Sequence, residues 1–346
     1  MPRHAEIQQG RVGLPLILQM AKILQPTDES LHELCELLRF GGLVGVPTET
    51  VYGLAANAFD ATACQKIFEV KQRPTYDPLI CHVAGIDALD SICHVNDTAQ
   101  ALAKHFWPGP LTFVLPKRDC VPDIVTAGLD SVAARCSAHP DFCRLVEQCD
   151  FPLAAPSANP FAYISPTTAQ HVQAGLGEKI PFILDGGPCS FGVESTILDL
   201  RDPERPRILR YGALPAEAIE AELGRPTERP AKNAANEPTQ QVAPGALPKH
   251  YSPRAKLKVT RGLSPKDLDT LLKDSAALLL AKPSEPYGPN VHWLSQSGKL
   301  DEIACSLYSK MRELDDAGFE SITVEEAPEL GLGLAINDRL RRAAFE

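Results

Sequence analysis

At 346 residues the chain has room for two domains, and its 44% apolar but only 6% aromatic content points to aliphatic cores of a mixed α/β fold. A formal charge of −10 argues against a broad nucleic-acid surface, because phosphate neutralisation dominates non-specific affinity; a local basic cleft stays open. Ten cysteines without a CxxC pair argue for buried reduced thiols of a cytoplasmic protein rather than a disulfide frame or a zinc site, and the longest apolar run, Ala276 to Ala281, is far too short for a membrane span.

The first 24 residues include LPLILQMAKIL, which Pro15, Gln19 and Lys22 interrupt, so a loosely ordered N-terminal arm is expected there rather than a signal segment. Thr27 or Asp28 can cap a helix with Leu31, Leu34 and Leu38 on one face, and Gly41-Gly42 ends it. The strand Leu43 to Val46 stops at Pro47 and delivers Thr48, Glu49, Thr50 and Tyr52 into a turn before Gly53. A helical period with Cys64, Ile67 and Phe68 runs to Lys71; Arg73 follows, and Pro74 bars continuation. A second strand, Leu79 to Val83, carries His82. A hydroxyl-rich turn facing a Lys/Arg pair suits an anion with an adjacent small polar group.

The pattern continues with a polar helix Asp97 to Phe106, the turn in WPGPLTFVLP, a strand Leu111 to Leu115 and a strand Ser131 to Cys136 bearing Arg135. A helix from Pro140 to Cys149 packs its Phe142, Leu145 and Val146 back on the sheet. In PLAAPSANPFAYISPTT a short strand breaks at Pro156 into a loop of Ser157, Asn159, Ser165 and Thr167, before another helix. Strands follow at Ile180 to Leu184, Glu194 to Leu200 and Arg207 to Arg210. Several strands thus end in small hydroxyl residues, and such ends converging would form a polar pocket along one sheet rim.

From Arg225 to Lys249 the composition shifts to Pro, Ala, Asn, Gln and Glu, a linker ending in APGALPKHYSP. A second compact unit then follows: strands Ala255 to Thr260, Ala276 to Ala281, near Val291 and Ser321 to Glu325, with helices Pro265 to Lys273, Leu300 to Ala317 and Leu334 to Phe345. The expected division is an arm over 1–24, a larger unit over 25–222, a Pro-rich linker over 223–254 that could act as a lid through His250 and Tyr251, and a small α/β domain over 255–346.

The strings VPTETVYGL, KQRP, PLICHV, WPGPLTFVL, APSAN, GVESTILDL and ILRYG, in this order over about residues 28–220, resemble the YrdC/Sua5 family, and HYSP followed by a domain ending GLGLAINDRLRRAA resembles its two-domain Sua5 form. The resemblance implies a twisted mixed sheet around a deep cavity, and an ATP-dependent nucleotidyltransferase that makes threonylcarbamoyl-AMP and pyrophosphate from L-threonine, bicarbonate or CO2, and ATP. It also implies Mg2+ accompanying ATP, downstream proteins that transfer the threonylcarbamoyl group to tRNA, and a weak tRNA contact. Carried over residue by residue, Thr50, His82, Arg135 and Ser195 would hold threonine. Arg73, Ser131, Ser157, Ser165, Arg210 and Tyr251 would hold ATP, with Lys71 at the phosphates, Asn159 and Thr48 as second choices, and Asp77 nearby where the family usually has Asn. No residue resembles a covalent nucleophile, so catalysis would rest on positioning and charge.

Plainer readings stand beside these. Lys71 and Arg73 could complement a helix macrodipole; His82 could be a core histidine; each serine could cap a turn. Arg135, inside SVAARC, must face a pocket or pair with an acid. An RNA-binding module of the same fold is the alternative function, and a carbamoyl-adenylate enzyme of the hydrogenase-maturation type would carry zinc-finger and acylphosphatase-like segments that this sequence lacks. No GxxxxGK[ST], HExxH or GxSxG occurs, so a phosphate site must be built from scattered strand ends.

Overall fold

The computed structural model describes residues 20–230 and 250–345. Most of the expected arm and the central part of the linker, residues 231–249, lie outside the described residues, whereas His250 and Tyr251, on which the lid expectation rests, are described. The first unit carries β1 (Lys22–Leu24), β2 (Val44–Val46), β3 (Gly53–Asn57), β4 (Ile80–His82), β5 (Leu111–Pro116), β6 (Ser131–Arg135), β7 (Leu153–Ala154), β8 (Phe182–Leu184), β9 (Thr196–Asp199) and β10 (Arg207–Arg210). They form one mixed sheet in the order β1-β8-β2-β3-β7-β4-β6-β5-β9-β10. Two elements correct the sequence expectation. Residues 22–24 are not loose but pair in parallel with β8, and β3 was not anticipated at all; it runs antiparallel to β2.

Local chemistry explains the punctuation. Thr27 caps the Asp28–Arg39 helix by accepting from the Ser30 amide at 3.2 Å, and Asn96 caps Asp97–Phe106 by accepting from the Ala99 amide at 2.9 Å. Helices cover the sheet with separate apolar clusters. One contains Cys64, Ile67, Phe68, Leu102 and Phe113, and another joins Leu31, Leu34 and Leu38 to Phe142, Leu145 and Cys149. Burial of these aliphatic and aromatic side chains stabilises each by roughly 1.5–3 kcal/mol relative to exposure.

The second unit has β11 (Lys256–Thr260), β12 (Ser275–Ala281), β13 (Val291–Ser295) and β14 (Ser321–Glu325), all parallel in the order β11-β14-β12-β13. Its helix expected to reach Lys273 ends at Asp269, and its last helix spans Leu332–Ala343. The Leu300–Asp316 helix turns Ile303, Leu307, Met311 and Leu314 into a core that also takes in Val51, Ile164 and Val193 of the neighbouring unit and Tyr251 of the connecting segment. The two units are therefore packed through continuous apolar contact. Gly192 makes that contact close: its φ is +70°, and a Cβ there would stand 2.5 Å from the Ala304 carbonyl oxygen. Residues 225–230, expected as linker, are fastened down, with the Ile208 amide donating to the Glu228 carbonyl at 2.8 Å and the Thr227 amide to Glu220 at 2.8 Å. Among the described residues no helix is long and apolar enough to cross a membrane.

Candidate active site

Pro47 ends β2, and the chain turns at once: the Thr48 hydroxyl accepts from the amides of Thr50 and Val51, both at 3.1 Å, and lies 2.8 Å from the Thr50 hydroxyl. This turn faces β4 and β6, whose parallel register sets His82 level with Arg135. The Arg135 guanidinium donates to Thr50 Oγ1 at 3.0 Å and pairs with Glu49 at 2.6 Å. Arg135 thus both faces a pocket and pairs with an acid. Burial alone would raise the Glu49 carboxyl, but Arg135 and the Ser137 hydroxyl outweigh it and hold the group below its usual range. His82 is buried against Phe142, ring centroids 5.1 Å apart, and burial followed by the nearby Arg135 charge pushes it down to about 3, so it is neutral at pH 7.

Two further arginines approach from other elements. Arg73 follows a helix whose C-cap, Gln72, has φ +55°, and this left-handed turn separates it from Lys71. Arg73 pairs with Asp77 at 2.9 Å and donates to the Pro78 carbonyl at 2.8 Å. Arg210, at the end of β10, donates to the Ser195 carbonyl at 2.9 Å and the Ser195 hydroxyl at 3.1 Å, while Thr112 lies 2.8 Å from that same hydroxyl. Gly212 permits the approach: a Cβ on it would meet the Ser195 carbonyl carbon at 2.2 Å.

These groups line one cavity, walled by Thr48, Thr50, Arg73, His82, Arg135, Ser157, Glu194, Ser195, Arg210, His250 and Tyr251 together with apolar Val51, Ile80 and Ala155. All four residues carried over for threonine reach it, as do Arg73, Ser157, Arg210, Tyr251 and the second choice Thr48. The others stand outside its lining. Lys71 is buried beneath it, with Nζ donating to the carbonyls of Ser157 (2.6 Å) and Asn159; burial, then Arg73, lowers its pKa well below the ordinary value. It pins the loop rather than facing the cavity. Asn159 donates to the Pro160 and Tyr163 carbonyls, both at 2.8 Å, and Ser165 donates to Glu194 at 2.8 Å. Asp77 sits behind Arg73, so its extra negative charge is paired. Ser131 is buried, its hydroxyl has no hydrogen-bond partner among the described residues, and it lies on the same β6 face as Arg135.

Sequence reasoning missed Glu194 as a wall residue and its partners Tyr308 and Arg339, which come from the second unit. Nothing local signals a pair so far apart in the chain. Among the described residues no cluster of three His, Cys, Asp or Glu side chains could hold a metal ion.

The Sua5/YciO/YrdC family model, described under telomere recombination, matches residues 36–212, and one described as the threonylcarbamoyl-AMP synthase C-terminal domain matches residues 214–345. The chain is 42% identical to the threonylcarbamoyl-AMP synthase of Pyrococcus abyssi, over 89% of this chain and 92% of that one. It is 38% identical to the threonylcarbamoyl-AMP synthase of Bacillus subtilis, over 93% and 94%. The crystal structure of P. abyssi Sua5 complexed with L-threonine superposes with a TM-score of 0.86, covering 94% of this chain and 98% of that one at 38% identity.

Proposed function

The chain belongs to the Sua5/YrdC family of threonylcarbamoyl-AMP synthases, and we propose that it works as a cytoplasmic ATP-dependent nucleotidyltransferase, joining L-threonine, bicarbonate or CO2, and ATP with release of pyrophosphate. The observation that carries this reading is the convergence of Arg73, Arg135 and Arg210 with Thr50, Ser157 and Ser195 on one cavity. A relative of the same two-unit build holds L-threonine, which supports an amino-acid subsite here.

Arg135 and Thr50, already 3.0 Å apart, take the threonine carboxylate, while neutral His82 and Ser195 meet its polar groups. ATP lies along Arg73, Ser157, Arg210 and Tyr251, with the buried Ser131 hydroxyl turning to the nucleotide. Lys71, Asp77, Asn159 and Ser165 act from behind the wall by fixing its shape. The threonine amine bonds to the carbon of CO2 with loss of a proton, or to that of bicarbonate with loss of water, and an oxygen of the resulting carbamate then bonds to the α-phosphorus as the bond from that phosphorus to its bridging oxygen breaks and pyrophosphate carries off the electron pair. The arginines stabilise the charge that shifts onto the leaving oxygens. A protein-held Mg2+ does not fit, because Glu49 and Glu194 are already engaged by Arg135 and Arg339; the ion enters with the triphosphate and water. The product is a mixed anhydride, which suits delivery to proteins that acylate a tRNA adenosine.

Pyrophosphate release by the full chain, with and without L-threonine and bicarbonate, tests this. Release that requires both is expected. Salt-sensitive RNA binding with no threonine-dependent release would instead favour an RNA-binding module.

A further inference from the structure

Two acids behind the cavity wall find their cations within the first unit: Asp77 with Arg73 at 2.9 Å, Glu49 with Arg135 at 2.6 Å. Glu194 differs. Its ion-pair partner is Arg339, from the Leu332–Ala343 helix of the second unit, with Nε 2.7 Å from Oε2. Tyr308, from the Leu300–Asp316 helix, donates to the same carboxylate at 3.0 Å. Both partners also hold Tyr251: the Arg339 guanidinium carbon lies 5.2 Å from the Tyr251 ring centre, and the Tyr308 ring stacks on it at 5.7 Å and 25°. Tyr251 has φ +64°, a left-handed conformation that costs a bulky residue energy and persists only where its surroundings impose it. Arg339, Tyr308 and Tyr251 are each 1% exposed or less, so water does not loosen this arrangement.

We propose that Arg339 and Tyr308 are positioning residues of the synthase: by clamping the Glu194 carboxylate and the Tyr251 ring at the cavity wall, the second unit completes a site whose lining comes from the first unit and from the connecting segment. The inference rests on the cavity being the synthase site. Its electrostatic logic follows from what surrounds Glu194. Ser165, Tyr308 and Arg339 bond to it, and Arg210 and Tyr251 lie close by. Burial alone would raise the carboxyl, but Arg339 first and Arg210 second hold it below its ordinary range. With Arg339 in place the carboxylate's charge is met from the second unit. Without it, Glu194 either takes up a proton or turns on Arg210, the cation assigned to the nucleotide; both outcomes spoil the wall.

The test uses the full chain with Arg339→Gln, Arg339→Lys and Tyr308→Phe, measuring kcat and KM for ATP and threonine across pH together with melting curves. Arg339→Gln should raise KM for ATP about tenfold or more, the size of one charged hydrogen bond, and shift the acid limb of kcat/KM to higher pH. Arg339→Lys, keeping the charge, should bring the acid limb back, and Tyr308→Phe should raise KM with only a small change in melting. If Arg339→Gln does not fold, the other two variants decide. Melting losses alone, with KM and the acid limb of the folded variants as in the unmodified chain, overturn the inference while leaving the synthase reading intact. An unmodified chain without threonine-dependent pyrophosphate release overturns both.

Discussion

Replacing Arg135 with Gln probes the pair on which the amino-acid end of the cavity is built. The guanidinium lies 2.6 Å from Glu49, and the two side chains are 4% and 6% exposed, so the substitution strands a carboxylate out of water. Breaking one side of a buried pair costs about 3–5 kcal/mol, whereas removing both sides together is often near neutral. For a unit of this size that is a fall in melting temperature of about 6–20 °C for Arg135→Gln, and a much smaller fall for the double change Glu49→Gln with Arg135→Gln. Threonine affinity behaves differently. Both proteins lack the cation that meets the carboxylate, so both should bind threonine about 10- to 100-fold more weakly, the worth of a charged hydrogen bond. Calorimetric melting and threonine titration separate the two effects. The reasoning is refuted if the double variant melts no higher than Arg135→Gln, or if threonine affinity survives in either.

Lys71→Met should lower stability by about 2 kcal/mol or more, since the carbonyls of Ser157 and Asn159 lose their donor, yet should raise KM for ATP less than Arg73→Gln does; melting curves and steady-state kinetics check both. Gly212→Ala forces a Cβ to within 2.2 Å of the Ser195 carbonyl carbon, so it should cost about 3 kcal/mol or more in urea unfolding and weaken ATP turnover. His82 titrates near 3 when folded and near 6.5 when unfolded, so between these values the unfolded chain binds the extra proton and stability falls as pH falls. The slope is about 1.4 kcal/mol per pH unit, and His82→Gln should remove that share, measured as a shallower loss of stability from pH 6 to 5.

Helices with strong punctuation were legible in the sequence: Asp97–Phe106 and Pro140–Cys149 run between the expected residues because a capping Asn96 and an N-terminal Pro140 fix their starts. The strand Gly53–Asn57 was not. Its sequence, GLAAN, has no β-branched residue and no alternation, and its pairing with β2 and β7, together with burial on both faces, makes it a strand. The short strand Lys22–Leu24 was likewise decided by a partner 160 positions on, at Phe182–Leu184. At the site, the arginines inside apolar strands announced themselves because such charges must be accommodated. Lys71 and Arg73 looked equivalent, and only the left-handed Gln72 between them sends one under the loop and the other to the cavity. Arg339, beside the paired Asp338, carried no local signal of a site role, since Glu194 lies in a different unit.

Whether one cavity takes both substrates is decided by a crystal structure grown with both L-threonine and a non-hydrolysable ATP analogue. The threonine carboxylate should rest on Arg135 and Thr50 and the phosphates near Arg73 and Arg210, both ligands within the cavity that Tyr251 walls. Ligands bound in separate places, or phosphates lying away from both arginines, would contradict it.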